Sequence, residues 1–130
     1  MNPEPVFSLS QIEQVAQPVK DLDRAVAFYR DRLGMKYLFA SNGLVFFDCA
    51  GVRLLLSRPE TGDFDYPGSV LYYKVPDIYA AHQVLLARGV EFVDSPHLIA
   101  HMDTYDLYMA FFHDSEGNLL AITGSIPRSP

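Results

Sequence analysis

The sequence repeats itself, and the repeat constrains its fold more than any other feature. Val19-Lys20-Asp21-Leu22 leads to Ala25 and Phe28 and stops at Gly34. Further on, Val75-Pro76-Asp77-Ile78 leads to Ala81 and Val84 and stops at Gly89. A second echo joins Phe46-Phe47-Asp48 and Gly51 to Phe111-Phe112-His113-Asp114 and Gly117. Each copy has the pattern of a strand, a turn, a helix and then further strands. A duplicated half-domain generally builds one cavity between its halves, so function is expected where the copies meet.

The local signals fill in this frame. Residues 12–19 have a strand pattern with Gln14, Ala16 and Pro18 on one face; Pro18 marks an edge strand or a strand exit, because it cannot donate to a ladder. Asp21 is an N-cap candidate, and Leu22, Ala25, Val26, Phe28, Tyr29 and Leu33 give a helical apolar stripe that Gly34 ends. Short strands are expected at 36–40, 43–48 and 52–57, with turns at Ser41-Asn42-Gly43 and Cys49-Ala50-Gly51. In the second copy a strand at 70–75, a helix capped by Asp77 and strands at 90–93, 107–112 and 119–123 follow. Residues 95–104 have the character of a loop. The expected division is a loose tail at 1–10, one domain at 11–124 (module one 11–57, linker 58–68, module two 69–124) and a tail at 125–130. The expected fold class is α+β: paired βαβββ modules forming a curved mixed sheet, with helices outside and a trough inside.

Composition excludes several functions. The chain has 130 residues and a formal charge of -6, which argues against nucleic acid and anionic membranes, since both reward Lys and Arg. No apolar run approaches the ~20 residues that a bilayer crossing needs. Met1-Asn2-Pro3-Glu4-Pro5 lacks the pattern of a signal peptide. Cys49 is the single cysteine, so no internal disulfide forms, which fits a cytoplasmic protein.

The motifs resemble those of the vicinal oxygen chelate superfamily, which groups glyoxalases, bleomycin-resistance proteins and extradiol dioxygenases. The resemblance is carried by Val19-Lys20-Asp21-Leu22-Asp23-Arg24-Ala25, Phe28-Tyr29-Arg30-Asp31 and Leu33-Gly34-Met35 in the first half. Tyr73-Lys74-Val75-Pro76-Asp77-Ile78, Arg88-Gly89-Val90 and Phe112-His113-Asp114-Ser115-Glu116-Gly117-Asn118 carry it in the second. The last of these resembles the family's Phe-x-Asp-Pro-x-Gly-Asn turn, with Ser115 in place of Pro. The match spans roughly residues 11–124.

In metal-using members of such a family, four side chains from four strands hold a divalent ion in the trough. Carried onto this chain, those positions fall at Gln14, Leu55, Val70 and Ala121. Three of the four are hydrocarbon and donate no electron pair, and a lone amide oxygen is a poor ligand. No consistent shift of the alignment by one residue restores a ligand set. The departure argues against glyoxalase I, methylmalonyl-CoA epimerase and extradiol cleavage chemistry, each of which needs the metal. No metal or other cofactor is therefore expected, save through a non-standard site.

Other residues are candidates for the trough. By strand alternation Arg53 shares a face with Leu55; it either grips a carboxylate or phosphate there or, in another register, points to solvent. Tyr72 faces inward by the same parity, and Tyr73 packs in the core. His97, His101 and His113, with Asp103 and Asp114 nearby, offer a displaced metal site or a base, against the plainer reading of solvated loop histidines. His101 is the one most plausible as a cavity residue. Cys49 beside Asp48 has a raised rather than lowered pKa and is not expected to react. The expected trough set is thus Gln14, Arg53, Leu55, Val70, Tyr72, His101 and Ala121.

The leading expectation is a metal-independent binder of a small organic molecule, resembling the bleomycin-resistance branch, whose antibiotic binders work as homodimers. The acidic charge weakly favours a cationic ligand. The alternatives are a lyase, isomerase or dioxygenase using a non-standard metal site or none, and a regulatory module with a packed, vestigial trough.

Overall fold

The computed structural model describes residues 9–59 and 67–128. Module one runs β1 (Gln14–Pro18), α1 (Leu22–Ala27), a π-helical turn (Phe28–Arg32), β2 (Lys36–Ser41), β3 (Leu44–Cys49) and β4 (Val52–Ser57). Module two runs β5 (Leu71–Lys74), α2 (Ile78–Ala87), β6 (Glu91–Phe92), β7 (His97–His101), β8 (Tyr105–His113) and β9 (Leu119–Pro127). The sheets have the orders β1-β4-β3-β2 and β5-β9-β8-β6, with β7 also on β8. In each module the first strand lies parallel to the last at the sheet edge, and the remaining pairs are antiparallel. This is the α+β arrangement of repeated units that the sequence implied. Pro18 ends the edge strand β1, where its missing N–H breaks no central ladder.

Local chemistry explains the elements. Asp21 and Asp77 both sit in extended backbone and accept from the N–H three residues on, at 3.0 and 3.1 Å, so both helices are capped as expected. The first helix widens after Ala27: the N–H of Leu33 donates to the carbonyl of Phe28 at 3.0 Å, a five-residue step. Phe28 and Tyr29, adjacent in sequence, are both buried in the widened turn. The two-residue hairpin turns place Asn42-Gly43 and Ala50-Gly51 at positive φ.

Two expectations need correction. Residues 95–104 are not a loop throughout. His97–His101 is a strand continuing the edge that β6 begins, both paired with β8. Pro96 and Asp94 interrupt that edge, and the Asp94 carboxylate takes the Phe111 N–H at 2.8 Å, replacing a ladder bond. The C-terminal tail also begins later than residue 125. Strand β9 runs to Pro127, and Arg128 donates to the Asp106 carboxylate and to the carbonyls of Met102, Asp103 and Tyr105. Most of the expected N-terminal tail and of the linker lies outside the described residues.

One core serves both modules. Phe28, Tyr29, Val45, Phe47, Leu54 and Leu56 of module one join Ile78, Val90, Ala110, Phe112, Leu120 and Ile122 of module two. These residues occupy the sheet faces that carry the helices, and every second residue of the central strands is buried there. Gly124 allows a close helix–strand approach: a Cβ there would stand 2.8 Å from Ile78 Cβ. The modules are also pinned by polar groups. Tyr29 donates to the Asp114 carboxylate at 2.6 Å in the interior, and Asn118 donates to the Pro18 carbonyl at 2.9 Å. Burial, then the neighbouring Asp114 charge, pushes the Tyr29 phenol well above its ordinary pKa, so it remains a donor. Glu116, in the turn before β9, accepts from the N–H groups of Lys20 and Asp21 and from Arg24 Nε and Nη2. It thereby fastens module two to the first turn of α1.

Candidate functional site

Alternation leaves the opposite face of each sheet without a helix. On module one this face carries Gln14, Arg53, Leu55 and Phe46, since Gln14 pairs with Arg53, Ala16 with Leu55 and Phe46 with Leu55. On module two it carries Tyr72, Ala121 and Phe111, which lie in one row across β5, β9 and β8. Tyr72 and Phe111 meet edge to face, centroids 6.0 Å apart, and Ala121 between them is fully buried. The position expected to correspond to a metal ligand on the last strand is therefore a methyl group in register between two aromatic rings.

The residues singled out in the sequence divide accordingly. Arg53 and Tyr72 line one cavity of about 260 Å3 with Ile12, Val15, Leu54 and Leu71. The cavity lies at the seam of the two modules and is lined from β1, β4 and β5; the Gln17 amide of β1 also donates to the Ser69 carbonyl, just before β5, at 3.0 Å. Gln14 and Leu55 share the face of Arg53 but do not line that cavity. Val70 precedes β5 and is exposed, so its expected place in the ladder is taken by Tyr72, the partner of Ala121.

His101 also has to be moved. It pairs with Asp106, which by alternation shares the face of Tyr108, Ala110 and Phe112, the helix side. Its Nδ1 lies 2.7 Å from the Asp106 carboxylate, which Arg128 also grips at 2.7 Å. The hydrogen bond from His101 and then that from Arg128 lower the Asp106 pKa. His97 bonds the Ser95 carbonyl through Nδ1 and lies 3.7 Å from Asp94. His113 pairs with Glu91 and Leu119 at the far end of β8. The three histidines are thus spread along two strands, and among the described residues no group of three or more His, Cys, Asp or Glu is placed to hold an ion. The donor set at the trough positions does not fit a divalent metal either: one amide and three hydrocarbon side chains.

Tyr73 is the residue that sequence reasoning undervalued. It packs toward the core, as alternation required, yet its hydroxyl is buried without a hydrogen-bond partner among the described residues, and it lines the seam cavity. Arg53 Nε is buried and unpartnered in the same way; the Arg53 head lies 3.9 Å from Glu13. Burial raises the Tyr73 pKa well beyond its ordinary value, and the phenol stays protonated. Burial, then Asp48, also raises the pKa of Cys49 on the cavity wall, so the thiol is neutral. On its other side Tyr73 borders a second cavity of about 280 Å3, walled by Leu33, Met35, Val84, Leu85 and Phe112. The strand pattern in the sequence gave the direction of Tyr73 but carried no signal for an unmet hydroxyl. Buried His82, stacked edge-on against Phe92 at 4.5 Å, was likewise unmarked.

A family model for the glyoxalase/bleomycin resistance protein/dioxygenase superfamily matches residues 11–122. The chain belongs to that superfamily. A glyoxylase-like domain-containing protein of Didymella fabae is 29% identical over 126 residues, covering 86% of this chain and 91% of that protein. Two solved structures share the superfamily fold. Lactoylglutathione lyase from Agrobacterium tumefaciens aligns with a TM-score of 0.73 and 24% identity, over 88% of this chain and 93% of its own. TnmS3, an antibiotic binding protein from Streptomyces sp. CB03234, aligns with a TM-score of 0.72 and 23% identity, over 92% and 99%. At these identities the structures speak for the fold, and one relative is a lyase while the other is a binder. Among the described residues no helix is long and apolar enough to cross a membrane.

Proposed function

We propose that this glyoxalase-like protein binds a small organic molecule at the seam cavity without the metal that its catalytic relatives use. The observation that carries the reading is the state of the metal-ligand positions: Gln14 stands alone, and Ala121 is sealed between Tyr72 and Phe111. A cation there would meet a methyl group and aromatic carbon in place of lone pairs. An apolar cavity with a few polar atoms is the usual form of a small-molecule site. We further propose that the protein works as a homodimer. Phe39, Tyr72, Leu98 and Ile99 are all more than one third exposed, and a second copy would cover such apolar surface.

The test is elemental analysis of protein dialysed without chelator, together with melting curves in Ni2+, Zn2+, Mn2+ and Fe2+. The expected result is no stoichiometric metal and no ion-specific rise in melting temperature. Stoichiometric metal, or a large rise with one ion, overturns the reading. A compound retained by the protein and recovered chemically unchanged distinguishes binding from turnover.

A further inference from the structure

We infer that the ligand of the seam cavity is an organic monocarboxylate with an apolar body, its carboxylate held between Arg53 Nε and Tyr73 Oη. This deepens the binding-protein reading and rests on it.

Two buried donors without partners among the described residues line one cavity, Arg53 from β4 and Tyr73 from β5. Buried N–H and O–H groups are rarely left unmet, and leaving one so costs about 1–3 kcal/mol. Two such donors lining one cavity, from two different strands, point to an acceptor that reaches both. A carboxylate has two oxygens to offer, one for each donor, and charge-assisted bonds of this kind are the stronger ones.

The surroundings select among acceptors. Arg53 is the single cation among the described residues lining the cavity, and Tyr73 and Cys49 are neutral. Glu13, largely exposed, is 3.9 Å from Arg53 Nη2 and does not line the cavity. One guanidinium balances one negative charge. A phosphate dianion would lack a second cation. A neutral carbonyl could satisfy a donor but would forgo the charge-assisted bond that a carboxylate makes with the guanidinium. An amine would set its own donors against both of these. The remaining walls, Ile12, Val15, Leu54, Leu71 and the Tyr72 ring, are apolar and take a hydrocarbon or aryl body.

The test titrates three probes of one shape and different charge: phenylacetate, phenylacetamide and 2-phenylethylamine, by calorimetry into the millimolar range. Phenylacetate is expected to bind at least about tenfold more tightly than either other probe. Tyr73→Phe is expected to weaken phenylacetate about five- to tenfold while leaving the melting temperature unchanged or raised, because the lost hydroxyl had no partner. Arg53→Met keeps the apolar stem, removes the charge and is expected to reduce binding below detection. Equal binding of the amide, tighter binding of the amine, or indifference of phenylacetate to both substitutions overturns the acid assignment and leaves the binding-protein reading standing. A cavity that takes none of the three probes overturns both.

Discussion

Glu116→Gln is the sharpest probe of how the two modules are held together. The Glu116 carboxylate accepts five hydrogen bonds: the Lys20 and Asp21 N–H groups at 2.9 Å each, Arg24 Nε at 2.7 Å, Arg24 Nη2 at 2.9 Å and Ser115 Oγ at 2.8 Å. Its side chain is 1% exposed. The Arg24 hydrogen bond is the largest influence and burial opposes it; the backbone and Ser115 donors add to it, and the pKa falls from 4.5 to about 2. At about 1.36 kcal/mol per pH unit, that full displacement corresponds to about 3 kcal/mol. Arg24 is 54% exposed, so solvent screens its share, and about 2 kcal/mol is expected at neutral pH. Because the folded-state pKa is depressed, this stability is fully present above pH 4.5 and is lost as pH falls through about 2. Wild type and Glu116→Gln should therefore differ by about 8 °C in melting temperature at neutral pH, at roughly 4 °C per kcal/mol for a domain of this size. The gap should close between pH 4.5 and about 2. Urea melts across that range measure it, and the difference between the two proteins cancels the other carboxylates. A gap under about 0.5 kcal/mol at neutral pH, or one that persists undiminished at the acid end, refutes the reasoning.

Three further outcomes are expected. Tyr29→Phe should cost about 1–3 kcal/mol in chemical denaturation, because it removes the buried donor 2.6 Å from Asp114 while the backbone donors to that carboxylate remain. Gly124→Ala should cost about 1–3 kcal/mol, because its Cβ would stand 2.8 Å from Ile78 Cβ and α2 would have to move off β9. Ala50→Asn should raise the melting temperature slightly, by up to about 1 kcal/mol of stability, because Ala50 holds φ 50° in a turn where Asn is at ease.

The repeat was legible because its signals are local. An aspartate that caps a helix, a glycine that ends one and a two-residue hairpin turn act within a few residues, so Asp21, Asp77 and Gly51 could be placed from sequence. Strand parity acts over the same short range: Tyr72 and Arg53 lie on one type of face and Tyr73 on the other. Parity gave nothing for His101, because Pro96 and Asp94 interrupt the edge and residues 95–104 had the character of a loop; the structure makes His97–His101 a strand. The five-residue step after Ala27 was invisible in sequence, because an apolar stripe reads alike in an α-helix and one that widens.

The sequence by itself determined the duplicated α+β pattern, the caps, the turns and the hydrocarbon character of the metal-ligand positions. These depend on residue identity and short-range spacing alone. Only the tertiary structure decided that Ala121 lies sealed between Tyr72 and Phe111, that Glu116 clasps the start of α1, and that the Arg53 and Tyr73 donors share a cavity without partners among the described residues. Each of these joins strands or modules far apart in the chain. Whether a buried hydrogen-bond donor is met or unmet depends on what the rest of the chain brings beside it, and no local pattern records that.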